Sequence, residues 1–291
     1  MAKVFFDELL ESIAHEQRKY QAVDVDDAVL KEFFTDRQAV PARPEAALPR
    51  RVDRMAPAPQ SSTPAPPSPR PEPPGARPFR QAQPEPTRPS TLPPDQEIPL
   101  RQAASLEELA AITAQCARCR LAPTRNHVVF GEGNPQADLM FIGEGPGRDE
   151  DLQGRPFVGA AGQLLNKMIA AMQFTRESVY IANVVKCRPP GNRNPEPDEA
   201  ASCIGYLNRQ IELIQPKVIV LLGAVALRFL LKLEGIRSKR GHWYEYRGIP
   251  VMPTYHPAYL LRTPGGKADA WDDLQQVMKV FGKVYQKPVR R

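Results

Sequence analysis

"DLMFIGEGPGRDEDLQGRPFVGAAGQLLNKMIAAM", residues 138–172, passes from a strand-like apolar run through a glycine-rich acidic loop into a helical pattern that begins near Ala161 and ends near Met172. The alternation then recurs. "VYIANVV" precedes "PDEAASCIGYLNRQIELI", "KVIVLLG" precedes a helix from Ala224, and "IPVMPTY" precedes a last helix from about Ala268 to Tyr285. Apolar strands alternating with helices predict an α/β domain: three αβα layers around a central, largely parallel four-stranded sheet covered on both faces. Ligands of such sheets bind at the carboxyl ends of the strands. "GEGPG", "NVVKC" and "TYHPAYLL" each lie at such an end, so three loops distant in sequence should converge on one crevice. The loop after the first strand is not a phosphate cradle. A cradle needs a lysine or a G-x-G-x-x-G run opening a helix, and neither is present.

Upstream the composition changes. Residues 41–99 hold 19 of the 33 prolines, with few aromatics and no hydrophobic periodicity. Such a segment cannot bury enough apolar surface to offset the entropy of ordering it, so residues 41–100 are expected to be a disordered, semi-extended linker. Before it, "KVFFDELLESIAHEQRKY" places Phe5, Leu9 and Ile13 at helical spacing and "DDAVLKEFF" repeats the pattern, which predicts a short amphipathic helical segment in residues 1–40 without a core of its own. The folded domain then occupies residues 101–291. Net charge is −4 over residues 1–40, +2 over 41–100 and +8 over 101–291, and a basic domain suits a polyanionic partner. No run approaches the roughly 18 apolar residues of a membrane span and no signal pattern opens the chain, so a cytoplasmic protein is expected.

In that reducing compartment the four cysteines call for a role other than disulfides. Cys116 and Cys119 form C-x2-C, while Cys187 follows the second strand and Cys203 lies in the next helix. Four thiolates can hold a [4Fe–4S] cluster or a zinc ion. The spacing alone does not decide between them, although zinc ribbons more usually show two C-x2-C knuckles. Either group would tie the segment before the sheet to the loop after strand two.

"GEGPGRDEDLQGRPFVGAAGQLL", "ANVVKCRPPGNRNPEPDEAASC", "RGIPVMPTYHPAYLLR" and the four cysteines together resemble the family 4 uracil-DNA glycosylases, the iron–sulfur branch of that superfamily, over roughly residues 105–285. The resemblance implies a monofunctional DNA-repair enzyme that flips uracil from single- or double-stranded DNA and hydrolyses its N-glycosidic bond, leaving an abasic site. It implies a [4Fe–4S] cluster on Cys116, Cys119, Cys187 and Cys203. A monomer acting at the nucleoid is expected, with a possible protein partner for the N-terminal helix.

The resemblance also assigns roles. Phe157 is the stacking platform for the base, and Asn183 accepts from uracil N3–H while donating to O4, a pairing that cytosine reverses. His256 and the backbone N–H groups of Gly143 and Gly145 face the charge that gathers on uracil O2. Glu150 aligns with the side chain that blocks a C5 methyl and so excludes thymine. Glu144 belongs to the pocket without a clear role, and the holder of the attacking water is open. Leu260 is the expected wedge behind the flipped base, and Arg262, Arg188 and Arg193 are expected phosphate contacts. His127 and His242 are expected outside the site. The family usually has alanine where this chain has Gly145. The interval from Asn183 to Cys203 lacks the inserted basic, histidine-bearing loop of the branch that traps uracil covalently, which speaks for turnover. A decayed DNA-binding module and a cluster-bearing electron carrier are the rival classes.

Overall fold

The computed structural model describes Phe33, Leu100 and residues 102–285. The expected helical segment of residues 3–20 and nearly all of the proline-rich linker lie outside the described residues. Strands are β1 (Glu132–Gly133), β2 (Leu139–Gly143), β3 (Tyr180–Asn183), β4 (Val218–Leu222), β5 (Tyr244–Tyr246) and β6 (Ile249–Thr254). Helices are α1 (Leu106–Ala114), α2 (Arg148–Gln153), α3 (Ala160–Ala171), α4 (Pro197–Ile214), α5 (Gly223–Leu231), α6 (Ile236–Lys239), α7 (Pro257–Arg262) and α8 (Gly266–Val280).

The sheet order is β1-β3-β2-β4-β6-β5. The four expected strands, β3, β2, β4 and β6, pair in parallel. Two short antiparallel strands, β1 beside β3 and β5 beside β6, extend the sheet to six. Every residue of β2 and β4 is buried, because each side chain of a doubly covered strand meets a helix on one face or the other. Leu139, Phe141, Val218 and Val220 face the layer of α3 and α8. Met140, Ile142, Ile219 and Leu221 face the layer of α1, α4 and α5. The three-layer αβα expectation therefore holds.

Two described residues outside the expected domain bounds of 101–291 pack on the domain. Phe33 is fully buried in the α3/α8 layer, 6.4 Å from the Trp271 ring centroid, and its carbonyl accepts from Lys267 Nζ at 2.7 Å. Leu100 joins the opposite layer. Phe33 thus packs on the domain through an aromatic contact that the amphipathic pattern alone could not assign to a partner. No helix among the described residues is long and apolar enough to cross a membrane.

Candidate active site and cysteine cavity

The carboxyl ends of β2, β3 and β6 open on a cavity of about 480 Å³ lined in part by Glu144, Glu150, Phe157, Asn183 and His256. That volume falls within the range of about 300–1,000 Å³ usual for small-molecule sites. Gly143 ends β2 opposite Asn183 of β3 in the parallel register. A Cβ on Gly143 would stand 2.5 Å from both Phe157 Cζ and Asn183 Oδ1, so only glycine lets the ring and the amide close on the strand end. Asn183 is 2 % exposed, and its Oδ1 is buried without a hydrogen-bond donor. A buried acceptor left open in a cavity wall is costly unless a ligand supplies the donor.

Phe157 holds a left-handed backbone with φ of 51°, a strained conformation for a bulky residue. Two features sustain it. Arg176 donates from Nη1 to the Phe157 carbonyl at 3.2 Å and from Nη2 to that of Pro156, while Glu132 of β1 orients its Nε at 2.6 Å. Gly162 of α3 makes room, since a Cβ there would lie 2.0 Å from the Phe157 carbonyl. The Phe157 ring then lies 5.7 Å from that of His256, centroid to centroid.

His256 caps α7, and its Nδ1 accepts from the Ala258 N–H at 3.1 Å. The proton of the neutral ring is thereby assigned to Nε2, which leaves Nε2–H as a free donor. Burial, and then the charge of Arg262, push the imidazole down to about 4, so it is neutral at pH 7. Burial alone pushes the Glu144 carboxyl up to about 7. Glu150 is held by backbone donors. Its carboxylate accepts from the N–H groups of Gly147 at 3.1 Å, Val158 at 2.9 Å and Gly159 at 3.0 Å, which locks it in place at the start of α2 and braces the loop that carries Phe157.

The remaining assignments divide. Gly145 and Arg262 line the cavity, as does Arg148, an exposed cation that the sequence reading passed over. Arg193 also lines it, but its guanidinium is spent on the buried carboxylate of Glu199 at 2.6 and 2.8 Å, which makes it a brace of α4 more than a free phosphate contact. Arg188 stands apart from the cavity lining and donates to Asn192 Oδ1 at 2.7 Å. Leu260 requires correction. It is fully buried in the α3/α8 layer because α7 turns position 260 inward, so as placed it cannot act as an exposed wedge. His127 packs on the loop through Asp151 and His242 bonds the Arg240 carbonyl, both outside the cavity as expected.

Three residues beyond Asn183, at Lys186, the chain enters a second, small cavity whose walls include Cys116, Cys119, Cys187 and Cys203. Donors crowd it: Arg125 Nη1 donates to Cys187 Sγ at 3.3 Å, and the Lys186 backbone N–H to Cys203 Sγ at 3.3 Å. Burial holds the Cys203 thiol up at about 12, so ligation there must displace a proton. Among the described residues no three ligating side chains are drawn together as a finished ion site. Four thiols opening on one cation-rimmed cavity are nonetheless the donor set that an anionic thiolate-bound group requires. Lys186 links the two cavities: its buried Nζ donates to the Asn183 carbonyl at 3.0 Å and to Gln210 Oε1.

Comparison with known proteins places this arrangement. The sequence profile of the Uracil DNA glycosylase superfamily matches residues 130–275. The chain is 43% identical over 188 residues to the type-4 uracil-DNA glycosylase of Archaeoglobus fulgidus, covering 62% of this chain and 94% of the relative. It is 50% identical over 163 residues to that of Thermotoga maritima, covering 54% and 85%. A type-5 uracil-DNA glycosylase of Pyrobaculum aerophilum is 31% identical over 146 residues, covering 44% and 64%. The matched span of the profile contains β2, β3, β4 and β6 with the strand ends that form the cavity, and the chain belongs to the uracil DNA glycosylase superfamily.

Proposed function

We infer that the chain excises uracil from DNA by hydrolysing the N-glycosidic bond, leaving an abasic site for base excision repair. The observation that carries the reading is the open Asn183 Oδ1 acceptor in the same cavity as a neutral His256 with a free Nε2–H. Uracil supplies the complement of both, a donor at N3 and an acceptor at O2. A base flipped out of the duplex stacks on Phe157, gives N3–H to Asn183 and receives Nε2–H at O2. As the glycosidic bond breaks, its electron pair passes to N1 and spreads onto O2, and the neutral imidazole donor stabilises that charge without transferring its proton.

Water must add to the sugar carbon that loses the base. Glu144 is the carboxylate placed to hold it: above about pH 7 it is ionised, able to orient the water, take its proton and offset the positive charge growing on the sugar. Glu150, fixed by three N–H groups, is the C5 guard, and a thymine methyl against it would desolvate its charge. Arg148 and Arg262 at the cavity rim are the phosphate contacts, consistent with the net +8 of residues 101–291.

Cys116, Cys119, Cys187 and Cys203 would hold a [4Fe–4S] cluster, with zinc the alternative. When bound, the cluster supplies a structural tie between the segment after α1, the loop after β3 and α4. The protein works as a monomer on this reading. Incubation with a uracil-containing oligonucleotide, then alkali and gel electrophoresis, should give one break at the uracil. An intact strand would overturn the assignment.

A further inference from the structure

We propose that Arg118 is a hydrogen-bond donor to the inorganic sulfur of the iron–sulfur group held by the four cysteines, and so selects a cluster over a bare metal ion. Arg118 lies inside the C-x2-C, between Cys116 and Cys119, and forms part of the wall of the cysteine cavity. Its Nε, Nη1 and Nη2 are all buried and none makes a hydrogen bond of good geometry. The guanidinium carbon sits 5.4 Å from the Tyr206 ring centroid and the group bears on the Tyr206 hydroxyl, an acceptor that can serve only a part of the five-donor fork.

Acceptors on α4 and in the C-x2-C are held by other arginines. Arg120 holds Asp198 at 2.6 Å, Arg193 holds Glu199, and Arg125 occupies the Cys116 carbonyl at 2.7 Å. A guanidinium cannot shed its proton to escape burial, unlike a lysine or histidine. The acceptors that Tyr206 cannot supply must therefore come from whatever fills the cavity. A zinc ion bound by four thiolates offers only the cysteine sulfurs, whereas a cluster adds bridging sulfides, and hydrogen bonds to those sulfurs tune a cluster's stability and potential.

The inference rests on a cluster occupying the four-cysteine site and not on the glycosylase reading, so the test measures the metal directly. The full chain, its Arg118→Met variant and its Arg118→Lys variant are purified anaerobically, and iron, acid-labile sulfide and zinc are counted. Wild type should carry about four irons and four sulfides. Arg118→Met should lose iron to a chelator at least ~10-fold faster, the scale seen when a group supporting metal ligands is removed, and its midpoint potential should fall. Arg118→Lys keeps the charge but not the fork, and should lose iron faster than wild type with a smaller shift in potential; it serves as the measurement if the methionine variant fails to fold. Iron-loaded variants with wild-type chelation rates and potentials would overturn the role of Arg118. Zinc without sulfide in the wild type would overturn the cluster and the proposal together.

Discussion

The two cavities beside the end of β3 are unsatisfied in opposite senses. The larger, at the strand ends, leaves an acceptor open at Asn183 Oδ1, and the smaller, among the cysteines, leaves donors open on Arg118. An open acceptor asks for a ligand with an N–H, and an open guanidinium asks for an anion. A flipped pyrimidine answers the first and a thiolate-bound cluster the second. The contrast teaches that unpaired buried groups report the chemistry of a missing ligand more sharply than volume does. Lys186, bonded to the Asn183 carbonyl and with its N–H on Cys203, is the physical link through which loss of the second ligand should loosen recognition of the first.

The largest effect should come from closing the open acceptor. Asn183→Ala should slow single-turnover excision of uracil by on the order of 1,000-fold, since a site built to hydrogen-bond its substrate discriminates steeply. Binding to undamaged DNA, measured by anisotropy, should barely change because phosphate contacts are separate. His256→Ala removes one donor to the developing charge and should cost on the order of 100-fold in kcat. Because its imidazole is held down at about 4, His256 itself should add no limb near pH 6.5, which the pH profile of the Glu144→Gln variant checks.

Gly143→Ala drives a methyl between Phe157 and Asn183, and roughly 10-fold lower activity with about 1–3 kcal/mol lost in denaturant unfolding is expected from such overpacking. Glu144 should set the acid side of the pH profile, with kcat/KM rising through about pH 7 and Glu144→Gln both slower and flat. The sign for stability is opposite. A carboxyl raised to about 7 in the fold holds its proton more tightly than in the unfolded chain, so stability is lost as pH rises from 4.5 through 7. Glu144→Gln should therefore gain on wild type across that window, by about 2 kcal/mol after allowance for solvent.

The smallest effect concerns the N-terminal segment. A chain beginning near Gln102 should excise uracil within a few-fold of full length, yet unfold more easily by about 1–3 kcal/mol through loss of Phe33 from the core. A collapse of activity with the cluster intact would place that segment in the catalytic machinery.

What the sequence made legible follows from what is local. The runs in β2 and β4 are apolar throughout, those in β3 and β6 are apolar up to a terminal Asn183 and Thr254, and α4 spans Pro197–Ile214, the segment its pattern marks. β1 and β5 have two and three residues, too few for any period, and α2 lies hidden inside the loop whose glycines dominate its appearance. Leu260 shows why spacing from His256 could not fix its role. Its position four residues on is helical, and only the packing of α7 on α3 decides that it faces inward. Arg176, Gly162 and Arg118 act through the strain of Phe157 and the burial of a cation, and neither condition has a signature until the chain is folded.

The central claim is that the open Asn183 acceptor reads the N3–H of uracil. It is tested most directly by comparing oligonucleotides that carry uracil or 3-methyluracil at one position, since both bases leave as anions stabilised at O2 but only uracil has an N3–H. The account predicts single-turnover excision of 3-methyluracil slower by at least ~100-fold, as expected where a buried polar group loses its partner. Equal rates on the two substrates would contradict it.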